Sequence, residues 1–254
     1  MKSLPTLIIA LFLTVYSVAG ANEQIRLTNG EWPPYLSAKL PQNGAASHIV
    51  TEAFAAVGVD VEYGFFPWKR AYQLAVDGIW HGTLIWVKTP EREKDFYYSD
   101  VVISDPEYLF YLKSRKLKWK EVKDLKNLTI GATLHTVYPT LEAAEKEGIL
   151  TIDRSGNYDN LYQRLLHKRI DAIPQVNQVG KYFQRARLSL KDRVKITHSS
   201  TVLQLRQYHL ILSKNVEENS RFIELFNQGL AILKASGRYY EIISALDTGE
   251  YDKK

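Results

Sequence analysis

An arginine at the end of an apolar run is a candidate grip for an anion. In this 254-residue sequence Arg92 follows Thr83-Leu84-Ile85-Trp86-Val87 and the polar turn Lys88-Thr89-Pro90-Glu91, and it leads into Phe96, Tyr97 and Tyr98. Its planar guanidinium can give a carboxylate two parallel hydrogen bonds, which a lysine ammonium cannot. Thr89, three residues earlier, adds a hydroxyl. Aromatic rings recur in the neighbouring turns. Glu31-Trp32-Pro33-Pro34-Tyr35 offers a carboxylate, an indole and a phenol on a loop stiffened by two prolines. Trp68 and Arg70 stand at a helix start, and Trp86 closes the apolar run itself. Aromatic walls with a few fixed polar groups suit a small-molecule site, and an indole face holds a cation or a planar group. In the other half of the chain, His135 and Thr136 lie where free helix amides would favour an anion. Asn177 follows Pro174-Gln175-Val176 at the end of another apolar stretch.

Other chemistries find less support. Six histidines and no cysteine show no metal-ligand spacing, so neither a metal site nor a cofactor is expected. Glu31 is the one carboxylate to nominate as an acid or base, and no second acid pairs with it at a convincing spacing. A Ser-His-Asp motif and a glycine-rich phosphate loop are both missing. A binding module is therefore expected rather than an enzyme. The formal net charge is +5, with Lys and Arg spread along the chain rather than blocked. That pattern reads as a solvated surface and not as a nucleic-acid footprint.

The elements that must position these residues follow from periodicity. Residues 1–21 read as a cleaved secretory leader: Lys2, the apolar run Leu7 to Val15, then Ala19-Gly20-Ala21. Export without a cysteine means reliance on the core, and excludes a lipid anchor on cysteine. Residues 25–30 read as a strand, 47–57 as a helix with Ser47 at its N-cap, and Val59 to Phe65 as an alternating strand. Lys69 to Val76 is a second helix and Gly82 to Val87 a third strand. This β-α-β-α-β order requires a parallel sheet with right-handed crossovers. The rhythm returns with strands at Leu128 to Ala132 and Ile170 to Ile173, the latter closed by Pro174, and helices at Val137 to Glu147 and Tyr158 to His167. Extended apolar runs at 107–113 and 207–213 read as crossings between two lobes. Lobe one is then 22–112 plus 206–254, lobe two is 113–205, and the final helices cover lobe one. Strand ends in open parallel sheets are where ligands bind, and two facing lobes make a cleft that closes.

The mature chain resembles the extracellular solute-binding proteins of family 3, the periplasmic receptors of polar amino-acid importers. The carriers are "WPPY", "TPEREKDFYYSD", "LTIGATLHT", "LLHKRIDAI" and "FNQGLAILKASGRYYEI", in order over roughly residues 25–245. The resemblance implies an α/β type II periplasmic-binding fold: two lobes, each a mostly parallel sheet flanked by helices, joined by two hinge strands. It implies a periplasmic monomer that closes on a small ligand and works with a membrane ABC permease or, alternatively, a signalling partner. It gives Arg92 the ligand carboxylate, Thr136 hydrogen bonds to the same group, and Trp32 a stacking role. Three positions depart from the pattern. Val87 stands for a Ser or Thr, His135 for a glycine, and neutral Asn177 for the acid that meets a ligand ammonium. Either Glu31 supplies that negative charge from another wall, or the ligand lacks an ammonium.

Overall fold

The structure is a computed structural model that describes residues 23–134 and 136–252; the expected leader and His135 lie outside them. The first lobe is built from β1 (Glu23–Asn29), α1 (Ala45–Ala55), β2 (Val59–Phe65), α2 (Trp68–Val76) and β3 (Gly82–Trp86). β1 pairs in parallel with β2 on one side and β3 on the other, as the alternating βα order demands. A long strand follows, β4 (Phe96–Leu112), and leads into the second lobe. There β5 (Thr129–Thr133), α3 (Pro139–Lys146), β6 (Thr151–Ser155), α4 (Tyr158–Leu166) and β7 (Ala172–Val176) repeat the pattern. Helices α5 (Asn177–Arg187) and α6 (Leu190–Arg193), then β8 (Ile196–His198), complete it. β9 (Gln204–Ser213) returns to the first lobe, which α7 (Asn219–Ala235) and α8 (Arg238–Thr248) cover. The strands form one run, β2-β1-β3-β9-β4-β7-β5-β6, with β8 on β4.

The apolar cores lie mainly within the lobes, although Val176 and Val179 of the second lobe join the core of the first. In the first, the one-sided stripe of α7 sets Phe222 and Phe226 against Phe54 of α1, with ring centroids 6.4 and 5.2 Å apart. Burying a phenylalanine contributes about 1.5–3 kcal/mol, so this crossing is a main source of cohesion. In the second lobe, Leu109, Ile130, Leu141 and Ala172 pack on one face of the sheet and Phe110, Leu161, Tyr162 and Ile173 on the other. Among the described residues no helix is long and apolar enough to cross a membrane.

Three local expectations are corrected. Ser47 is not the N-cap of α1: the helix starts at Ala45 after Gly44, whose φ of +93° suits glycine. The Ser47 hydroxyl instead accepts from the Asn29 amide at 3.0 Å inside the core. Pro174 does not close β7 but lies within it, opposite Leu109. The Leu109 carbonyl and amide both turn to Ser199, so no ladder bond there needs a proline N–H. β4 also begins at Phe96 rather than near 107, and from Glu107 to Tyr111 it is already hydrogen-bonded to β7.

Candidate functional site

β3 ends in a distortion that aims its last side chain. Ile85, a β-branched residue, has φ +66°, and the β3–β9 register shifts between Thr83 and Trp86. Such a conformation costs on the order of 1–2 kcal/mol, and bulges of this kind re-aim side chains near sites. Trp86 thereby leaves the sheet's alternation. Its ring sits 4.9 Å from Tyr72 and 5.5 Å from Trp68 by centroid, and its indole N–H donates to the Thr83 hydroxyl at 3.1 Å.

Arg92 closes this aromatic nest. Its guanidinium lies 4.8 Å from the Trp86 ring centroid, and Nη1 donates to the Val87 carbonyl at 2.9 Å. The Arg92 amide reaches the Thr89 hydroxyl at 3.4 Å. Among the described residues no carboxylate pairs with Arg92, although the same protein ties Lys88 to Glu93 at 2.8 Å and Arg206 to Glu107 at 3.2 Å. Burial pushes the Tyr98 phenol up to about 12 and raises that of Tyr72, with Arg92 pulling both the other way. Both therefore stay neutral beside the cation at ordinary pH.

The Val87 and Lys88 backbone diverges from β9 here and leaves a recess of about 200 Å3, lined also by Gln204, Leu205, Arg206, Gln207 and His209. The Arg92 guanidinium is bonded to a carbonyl of this lining. A second recess, about 230 Å3, lies on the outer side of lobe one by His48, Arg238 and Tyr251. Its charges satisfy one another: Arg238 and His48 both hold Glu52. It reads as a structural brace.

The remaining expected residues divide. Trp32 is half-buried and meets Tyr35 and hinge residue Tyr208 edge-on, both at 5.2 Å. The ring of Trp68 occupies the space a Cβ on Gly30 would need, which joins this group to the Trp86 nest. Tyr35 is withdrawn from any ligand: it is fully buried and donates to Asp105 at 2.5 Å. Arg70 is exposed and lies over Phe66 at 5.5 Å, apart from Arg92. Glu31 is exposed and accepts from the Ala38 amide at 3.0 Å. In lobe two, Arg154 gathers the turn after β5, donating to the carbonyls of Thr133 (2.9 Å) and Thr136 (3.0 Å). The Thr136 hydroxyl accepts from Thr133 at 2.6 Å, which leaves its own proton to donate. Asn177 is half-buried at the start of α5.

The lobes meet through residues that periodicity did not single out. Asp105, in β4, accepts from Tyr35 of lobe one and from the Gln178 amide of α5 at 2.9 Å. Arg206 bridges Glu107 and the Val137 carbonyl of lobe two, the latter at 3.0 Å. Gln178, Lys181 and Arg185, on one face of α5, reach Asp247, Asp247 and Asp252 of the C-terminal segment. The signal available in the sequence was "QLRQYH": polar side chains alternating along a strand that must otherwise be buried.

No protein family profile and no curated protein matches the chain by sequence. Solved structures do match in shape. The GluR0 ligand-binding core complexed with L-glutamate has a TM-score of 0.72 at 15% identity, covering 89% of this chain and 99% of that one. The amino acid ABC transporter substrate-binding protein AbpA from Streptococcus pneumoniae, bound to L-arginine, has a TM-score of 0.69 at 18% identity, covering 91% and 97%. A histidine kinase sensor domain similar to periplasmic binding proteins also has a TM-score of 0.69, at 15% identity and covering 89% and 96%. With β4 and β9 crossing between two α/β lobes, the chain has the two-lobe fold of the type II periplasmic binding proteins.

Proposed function

We propose that the protein captures a small carboxylate-bearing solute between its lobes in the periplasm and delivers it to an ABC importer. The observation that carries this reading is Arg92: a guanidinium backed by Trp86, beside a recess at the hinge, with no acid partner among the described residues. The ligand would take the Arg92 fork on one lobe and the Thr136 hydroxyl on the other. Contacts from both lobes favour the closed state by their difference in affinity, so no bond changes. Lobe one comprises 22–112 with 206–254 in this reading, and the protein acts as a monomer. The fold is shared by transport receptors and by a kinase sensor domain, and the Arg92 grip serves either output.

A thermal-shift screen of amino acids, other small carboxylates, amines and oligosaccharides tests the reading, because a ligand that binds only the folded form raises its stability by mass action. Arg92→Ala is expected to weaken the best carboxylate by about 2–4 kcal/mol in calorimetry. Undiminished affinity in that variant removes Arg92 from the site and the reading with it.

A further inference from the structure

The acids that meet the cations of the recess and of the facing turn are engaged by them. Glu93 holds Lys88, Glu107 holds Arg206 and Gln204, and Glu142 holds Arg154. Asp105 is buried and accepts two donors. Glu31 and Glu91 are exposed to solvent. Of the cations at the recess and on the facing turn, Lys88, Arg206 and Arg154 are each neutralised by one of these acids. Arg92 has no carboxylate within ion-pair distance among the described residues; the exposed Glu91 beside it feels its charge without pairing.

We propose that the solute held there is a monocarboxylate without an ammonium group: an α-keto acid, an α-hydroxy acid or an unsubstituted acid with an apolar body. This rests on the reading that Arg92 receives a carboxylate. A zwitterionic amino acid would satisfy Arg92 but bring an ammonium into a recess whose described lining contains no acid. Taking an unpaired ion out of water is costly, and the penalty reads as about tenfold or more in affinity. The wall also carries groups that can accept or donate hydrogen bonds without an ion pair. His209 uses Nδ1 to donate to the Ser99 carbonyl at 2.7 Å, which in the neutral ring leaves Nε2 as an acceptor, and Gln207 adds an amide. These suit a hydroxyl or a keto oxygen. Val87 and Leu205, the latter 59% exposed, supply apolar surface for the rest of the molecule.

Calorimetry on the purified protein with matched sets provides the test: L-phenylalanine against phenylpyruvate and hydrocinnamate, L-leucine against ketoisocaproate and isocaproate, and L-alanine against pyruvate and lactate. In at least one set the acid lacking the amine is expected to bind about tenfold or more tightly than the amino acid. Arg92→Gln and Arg92→Lys are both expected to lose that binding. An amino acid that binds as tightly as its partners overturns the inference; if Arg92→Gln then abolishes its binding, the carboxylate reading survives alone. Binding by no carboxylate of any set overturns both.

Discussion

Replacing Asp105 with asparagine separates one hinge carboxyl from every other acid in the protein. Asp105 is 3% exposed and takes two donors on one oxygen, the Tyr35 hydroxyl at 2.5 Å and the Gln178 amide at 2.9 Å. Burial raises its pKa to about 6; the Tyr35 and Gln178 hydrogen bonds and the Lys181 charge oppose the rise, and Asp247 adds to it. Burial therefore outweighs both hydrogen bonds. The folded protein holds this proton more tightly than the unfolded chain, whose carboxyl titrates near 3.8. The stability contributed by the group is full below the unfolded value and is lost as pH rises through about 6. Between these values the loss amounts to about 3 kcal/mol, at about 1.4 kcal/mol for each factor of ten in proton affinity. An asparagine keeps an acceptor for both donors and cannot ionise, so the variant lacks this slope. Urea unfolding of both proteins at about pH 3.5 and about pH 7.5 reads it. The stability of Asp105→Asn relative to the parent is expected to rise by about 2–3 kcal/mol from acid to neutral pH. A difference that does not vary with pH would mean the carboxyl keeps its ordinary affinity. One that falls with rising pH would mean the hydrogen bonds win. Either result refutes the reasoning.

Two further outcomes test the packing around the site. A Cβ on Gly229 would stand 1.8 Å from the Ala53 carbonyl oxygen, a backbone atom that cannot swing aside; Gly229→Ala is expected to lose about 3 kcal/mol in denaturant unfolding, and an unchanged midpoint would contradict the close α1–α7 crossing. Arg185 and Asp252 pair across the lobes with side chains only 27% and 15% exposed, so a double-mutant cycle of Arg185→Ala and Asp252→Ala is expected to give a coupling of about 1 kcal/mol. Strict additivity in that cycle would separate α5 from the C-terminal segment.

The candidate site was partly legible because its parts sit at strand ends. Trp68, Trp86, Thr89 and Arg92 were read from positions following apolar runs, and the structure gathers these four. Tyr35 misled because a phenol in a proline-rich turn looks like a wall residue. Its hydroxyl turns inward only because Asp105, seventy positions on, is buried behind it. Glu107 and Arg206 were invisible as partners for the same reason: they meet in adjacent strands almost a hundred residues apart.

What the sequence determined alone is whatever periodicity carries. The alternation of Val59–Phe65 gave β2 to the residue, and the apolar stripe Phe222, Leu225, Phe226, Leu230 and Leu233 gave the inward face of α7, with Leu225 only half-buried at its edge. Both patterns are local, since a side chain's face follows from its own backbone period. The tertiary structure decided the direction of Trp86, because alternation cannot foresee the left-handed Ile85 that breaks it. It also decided that Pro174 lies inside a strand and that Arg92 has no acid partner among the described residues. Those outcomes depend on which groups distant segments bring alongside, and no period in the chain records that.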